Sequence, residues 1–257
     1  MKNRLNGHAN GKPKELAPIP EGGFQISEDV IRYEVYGAHW YLHVPTREWM
    51  TSVTKPLRHF PKGPQYEEWH ANQGGYQNVQ RIMEEAGKRG RAVHSGIHSL
   101  LKGIPLKRRE FDHESWTHLM SFKRWFEDVK PVIYTMEEVV YDTRRKIAGT
   151  LDIACELEGV PTILDVKTGK YLYDSNRIQV NEYAKLWEAM GNGPKIEQVA
   201  LLRTGSKHKC GYEFWKDAVS EERHTVFRAL QYVEKFIHPE TEPRFGSKPP
   251  DELSIDV

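Results

Sequence analysis

The chain has 257 residues, 11% of them aromatic and 28% charged, a composition that excludes wholesale disorder and allows one well-buried α/β core or two small domains. Its 37 Lys and Arg nearly cancel its 36 Asp and Glu, so it is no polycation, and any nucleic-acid binding has to be local. No stretch approaches the roughly 20 apolar residues of a membrane span. The two cysteines, Cys155 and Cys210, supply neither a disulfide framework nor a four-cysteine metal site.

Residues 1–23 lack the apolar stretch of a secretory signal and are predicted to be a disordered polar tail, which points to a reducing, cytoplasmic setting. Residues 24–36 partly alternate polar and apolar, predicting an edge strand or hairpin. From 37 to 75 the chain is rich in aromatics and interrupted by Pro45, Pro56, Pro61, Pro64 and Gly74-Gly75, so loops with short helical pieces are expected. The apolar spacing over 76–101 predicts one or two helices broken near Gly87–Gly90. Between Ala86 and Arg109 lie seven basic residues, Arg89 and Arg91 among them, and no acidic one. Such a run is either a solvated face or a track for phosphates. Residues 112–129 predict a further helix.

Three β-rich runs follow, VIYTMEEVVYD, KIAGTLDIACEL and VPTILDVKTG, and then a helix over 175–191. IEQVALLRT and KCGYEFW predict two more strands and 218–237 a closing helix, with 239–257 a flexible tail. The order implies a central mixed β-sheet flanked by helices, in one domain spanning 24–238.

The chemistry is concentrated in GTLDIACELEGVPTILDVKTGK. If Glu158-Gly159 is a two-residue turn, opposed residue numbers sum to 317 and Asp152 faces Asp165. Opposed like charges destabilise a strand pair, and a divalent cation would relieve them. Strand alternation puts Lys167 on the face of Asp165. Hard oxygen ligands favour Mg2+ or Mn2+ over zinc. The plainer alternative has Asp152 facing solvent, with Asp165 and Lys167 forming a surface ion pair.

Four motifs widen the pattern: Gly90-Arg-Ala-Val-His94, Gly149-Thr-Leu-Asp152, Asp165-Val-Lys167-Thr168 and Gln179-Val-Asn-Glu-Tyr183. In this order they resemble the RecB-like branch of the PD-(D/E)XK nuclease superfamily, over roughly residues 88–185. Upstream, Tyr33-Glu-Val-Tyr-Gly37 and Ser52-Val-Thr54 are similar to the front of phage recombination nucleases and of the mitochondrial genome maintenance exonuclease. The resemblance implies a restriction-endonuclease-like α/β core. It also implies metal ligation by His94, Asp152, Asp165 and the Val166 carbonyl, with Lys167 as the catalytic lysine. Glu138 is the better candidate for a further acidic ligand and Glu137 the alternative. Gln179, Tyr183, Arg89, Arg91, Ser52 and Thr168 are expected to contact DNA or brace the site. Relatives often carry Glu four residues after the motif histidine, where this chain has His98.

The expected activity is a metal-dependent DNA exonuclease acting on single-stranded or processed ends in replication, recombination or repair, in a bacterium or a phage-infected cell. A structure- or sequence-dependent endonuclease and an inactive nucleic-acid-binding protein are the alternatives. DNA is the expected partner, with room for a homo-oligomer or a recombination or replication partner protein.

Overall fold

The structure, a computed structural model, describes residues 17–191, 193–205 and 211–245. Residues 1–16 and 246–257 of the expected tails, and Cys210 of the expected last strand, lie outside the described residues.

The chain opens with an antiparallel meander, β1 (Phe24–Gln25), β2 (Val30–Val35), β3 (Ala38–His43) and β4 (Glu48–Ser52). Loops were expected over the second half of it. Trp40, Tyr41 and Leu42 are buried in succession, because β3 is covered on both faces. A strand buried on both sides shows no alternation and cannot be recognised by period. Residues 17–23, assigned by sequence to the tail, run along this meander: Pro20 O accepts from Tyr33 OH at 2.7 Å and Ala17 O from Arg47 Nε at 3.1 Å. From the other end of the chain, Phe245 packs edge-on against Tyr33, with ring centroids 5.5 Å apart.

Helix α1 (Pro64–Ala71) leads to α2 (Tyr76–Leu101), which runs unbroken for 26 residues through Gly87 and Gly90. Glycine inside a helix costs about 1 kcal/mol against alanine. A Cβ at Gly90 would stand 3.5 Å from Thr168 Oγ1, an ordinary contact distance, so the helix here runs beside the chain leaving β7. Helix α3 (His113–Val129) starts where Asp112 accepts the Ser115 N–H at 2.8 Å.

Strands β5 (Val132–Asp142), β6 (Ile147–Leu157) and β7 (Val160–Lys167) follow, then α4 (Asp174–Met190), β8 (Gln198–Arg203), β9 (Glu213–Ala218) and α5 (Glu221–Ile237). The nine strands among the described residues form one mixed sheet, ordered β1-β2-β3-β4-β6-β7-β8-β9 with β5 on the other edge of β6. Helices α2 and α3 cover one face, packing Val93, Ile97, Phe122 and Trp125 onto Ile153, Leu164 and Val166. The other face lies under α4 and α5, where Ile178, Tyr183, Leu186 and Phe227 meet Leu151, Ile163 and Leu201. The expected α/β class, a central mixed sheet flanked by helices, is the one observed. Among the described residues no helix is long and apolar enough to cross a membrane.

One topological detail positions the site. β5 lines one edge of β6 nearly throughout, whereas the other edge is shared. β4 takes it at Ile147 and Ala148, and β7 from Ile153 to Leu157. Gly149–Asp152 therefore falls in a fork, where β6 has left one neighbour and not yet met the next.

Candidate active site

Glu158 and Gly159, at φ 52° and 83°, form the tight turn read from the sequence. The register follows from Leu157↔Val160 to Ile153↔Leu164. There the ladder stops, one step short of the expected Asp152–Asp165 pair. Asp152 turns into the fork instead, and its Oδ2 accepts the Val166 N–H at 2.7 Å. A side chain thus replaces the next ladder bond and holds β7 at the point where it leaves β6 to pair with β8.

On the α4 side, alternation along β7 brings Asp165 and Lys167 together as expected. Lys167 Nζ stands 2.6 Å from Asp165 Oδ2, a charge contact rather than a well-directed hydrogen bond. It also donates to Gln179 Oε1 at 3.0 Å, and Gln179 Nε2 donates to Tyr183 OH at 2.9 Å. Asp165 is 2% exposed. Burial, with Asp152 adding to it, pushes its carboxyl up to about 6 against the pull of Lys167. Burial likewise keeps the Tyr183 phenol protonated well beyond its ordinary range. The Tyr183 ring lies on Gly149, where an added Cβ would stand 2.7 Å from it. The first glycine of one motif is the seat for the tyrosine of another.

On the α2 side, His94 Nδ1 is 3.4 Å from Asp152 Oδ1. Asp152 raises the imidazole to about 9, against the opposing effect of its burial. Burial alone would raise Asp152; His94, Lys167 and the Val166 N–H together hold it below the ordinary carboxylate range. A third group joins them. Potential ligand atoms of His94, Glu137 and Asp152 lie within 4.8 Å of one another. Desolvation by the surrounding site and the nearby Asp152 raise the carboxyl of Glu137, which stays exposed at the surface.

Glu137, the second choice from sequence, is thus the acid beside Asp152, and Glu138 is not. Residue numbers in the β5–β6 register sum to 288 at Ile133↔Cys155 and to 289 from Thr135↔Ala154 onward, because the strand bulges at Tyr134. The bulge changes which acid meets Asp152, and Glu137 takes a left-handed φ of 52°. Glu138 accepts from Thr135 Oγ1 at 3.1 Å and lines a separate surface cavity with Trp187 and Met190. A doublet of glutamates carries no signal for this, since bulges are tertiary events.

The remaining predicted residues divide. Arg89 and Thr168 line an open cleft of ≈ 830 Å³ together with His118, Lys170, Tyr171 and Arg203. Arg89 is ion-paired to Glu114 and Arg203 to Glu213. Arg91, two residues along the helix and so on another side of it, lies near His39 of β3. Arg108 donates to Phe111 O in a separate turn. The basic run is therefore split among several surfaces and is not one track. Ser52 is 5% exposed and bonded to Thr54 Oγ1 at 2.8 Å, so its hydroxyl is not offered to solvent. His98, one turn beyond His94, borders with it a small pocket of ≈ 10 Å³ that Glu137 and Asp152 also line. The cleft residues Lys170, Tyr171 and Arg203 were missed by sequence reasoning, since they belong to no motif.

The arrangement has two chemical capacities. Three carboxylates and an imidazole gathered at a strand fork can hold a hard divalent cation. A lysine fixed beside them by Asp165 and Gln179 carries an ammonium that can neutralise an anion brought to the fork.

No protein-family model and no curated protein matches this chain. Among solved structures it is similar to an alkaline exonuclease from Laribacter hongkongensis, at 5% identity and TM-score 0.41, over 73% of this chain and 87% of that one. It is similar to a phage related exonuclease from Haemophilus somnus 129PT at 10% identity and TM-score 0.35, over 73% and 93% of the two chains. A third likeness, to the protein SSO0001, has 15% identity and TM-score 0.39 over 76% and 79%. These are distant likenesses of fold, and the chemistry is read from the residues of the site.

Proposed function

We propose that this protein is a Mg2+- or Mn2+-dependent deoxyribonuclease that hydrolyses phosphodiester bonds at DNA ends. The observation that supports this best is the meeting of two unlike clusters at one strand fork: His94, Glu137 and Asp152 on one side, and Asp165, Lys167, Gln179 and Tyr183 on the other. A protein with a purely structural need has no reason to collect three carboxylates there, since uncompensated like charges cost stability.

The donor set fits the ion. Carboxylate oxygens with a single imidazole suit magnesium or manganese. Without it, the proton that Asp152 holds on His94 supplies part of the missing positive charge, and a cation would displace that proton. His94, Glu137 and Asp152 would hold the ion, with Asp165 and the Val166 carbonyl completing the set. Such an ion polarises a phosphodiester and makes water a better nucleophile. Lys167 offers its ammonium where negative charge grows on the phosphate oxygens. Gln179 and Tyr183 act through the lysine as positioning residues. Arg89, Lys170 and Thr168 line the approach for the DNA backbone.

End-labelled linear DNA and covalently closed circles, each incubated with Mg2+, with Mn2+ and with chelator, test the reading. Metal-dependent loss of linear DNA with circles spared is the expected result. Nicked circles would make it an endonuclease on the same site. Binding to DNA without cutting under any metal condition would reject the catalytic reading in favour of an inactive nucleic-acid-binding protein.

A further inference from the structure

The loop that leaves β7 carries a feature outside the four motifs. Tyr171 and Tyr173 are 60% and 45% exposed, with ring centroids 6.2 Å apart and planes inclined at 71°. The aromatic surface continues onto α1. Tyr66 is an electrostatic neighbour of Tyr173 and packs on Trp69 at 5.6 Å. Lys62 Nζ sits 4.3 Å above the Tyr66 ring. At its other end the patch reaches the cleft, since Tyr171 lines it beside Arg89, Thr168, Lys170 and Arg203. An exposed ring pair and a cationic cleft therefore share an edge, directly after the Asp165–Lys167 strand.

Taking the nuclease reading as its basis, we infer that Tyr171 and Tyr173 form a stacking platform for unpaired bases, so that the strand led into the cleft is single-stranded. In a duplex the base faces are covered by their neighbours, and a protein meets only phosphates and groove edges. Exposed tyrosines find matching flat surfaces only where bases are unpaired, and stacking on them is indifferent to sequence. Cations on either side of the rings, Lys62 and Lys170, suit a chain whose phosphates alternate with its bases.

Fluorescence anisotropy in chelator, where nothing is cut, separates binding from catalysis. The probes are a labelled oligothymidylate of about 16 nucleotides and a duplex of equal length. Tyr171→Ala and Tyr173→Ala are each expected to weaken single-strand binding by about 5- to 150-fold, the equivalent of 1–3 kcal/mol of stacking per base. Duplex binding should be unchanged, and Tyr171→Phe should keep the single-strand affinity because it keeps the ring. A 2-aminopurine placed in the oligonucleotide should be quenched on binding to the wild type and less so in the alanine variants. Alanine variants that bind both probes like the wild type, or lose both equally, overturn the platform. In that case metal-dependent cleavage by the wild type leaves the nuclease reading intact. A wild type that neither binds nor cuts DNA overturns both. A thermal midpoint on each variant confirms that the change at an exposed position has not unfolded the protein.

Discussion

The two sides of the site settle their charges differently. On the α4 side Lys167 has Asp165 and Gln179 as partners, and Gln179 has Tyr183, so each group in the line has a neighbour of opposite charge or complementary polarity. The α2 side is unfinished. His94, Glu137 and Asp152 bring two acids and one base together, and the base keeps its proton to about 9 because Asp152 beside it favours the charged form. A closed polar network fixes geometry, while an excess of negative charge stores an affinity for cations. On the proposed reading, the difference separates a side that holds an amine in place from a side that an ion would complete.

The largest effect should come from breaking the closed side. Lys167→Ala or Asp165→Ala is expected to lower cleavage of end-labelled DNA by about 10²- to 10³-fold or more, with far-ultraviolet circular dichroism unchanged. Full activity in either variant would move the chemistry elsewhere. The open side is sharpened by a pair of neighbours. Glu137→Gln should weaken Mn2+ binding by about 10-fold or more in calorimetry, and Glu138→Gln should leave it as it was. Equal losses from the two would deny the bulge its role in choosing the acid.

Gly149→Ala probes the seam between the sides. A methyl group 2.7 Å from the Tyr183 ring must displace a side chain pinned by Gln179. A destabilisation of about 1–3 kcal/mol in urea is expected, with Gln179 and Lys167 losing their positions. An unchanged midpoint would mean that the ring moves freely.

The smallest effect is on the pH dependence of stability without metal. The folded pKa of His94, about 9, lies above its ordinary 6.5, so its pairing with Asp152 stabilises fully below 6.5 and is lost as pH rises through about 9. The thermal midpoint in chelator should fall across that window, and His94→Gln should flatten this part of the profile. Asp165 acts lower down: its carboxyl is raised from 3.8 to about 6, so ionising it costs stability as pH rises through that interval. A wild-type profile matching that of His94→Gln between 6.5 and 9 would refute the pairing.

Much of this was legible because strand period and turn chemistry are local. Glu158-Gly159 between two β-rich runs specified the hairpin, its register and the shared face of Asp165 and Lys167, and five observed pairs follow that register. Helical spacing located α3, α4 and α5 to within a few residues. Gln179 and Tyr183, four apart, had to share a helix face. Where neighbours from afar decide, the sequence was silent. β3 reads as loop because both its faces are covered, and α2 runs on through Gly87 and Gly90, which by local propensity alone mark a break.

By itself, then, the sequence determined which residues carry charge and which strands and helices bear them, since alternation, helical period and turn preference act over a few residues. Tertiary structure alone decided how those charges are shared. β6 changes neighbours at Gly149–Asp152, so Asp152 bonds to the Val166 N–H instead of squarely opposing Asp165. A bulge at Tyr134 gives Asp152 the company of Glu137 and not Glu138. Both outcomes depend on where one strand ends and another begins, and that is settled by competition between distant segments for the same sheet edge.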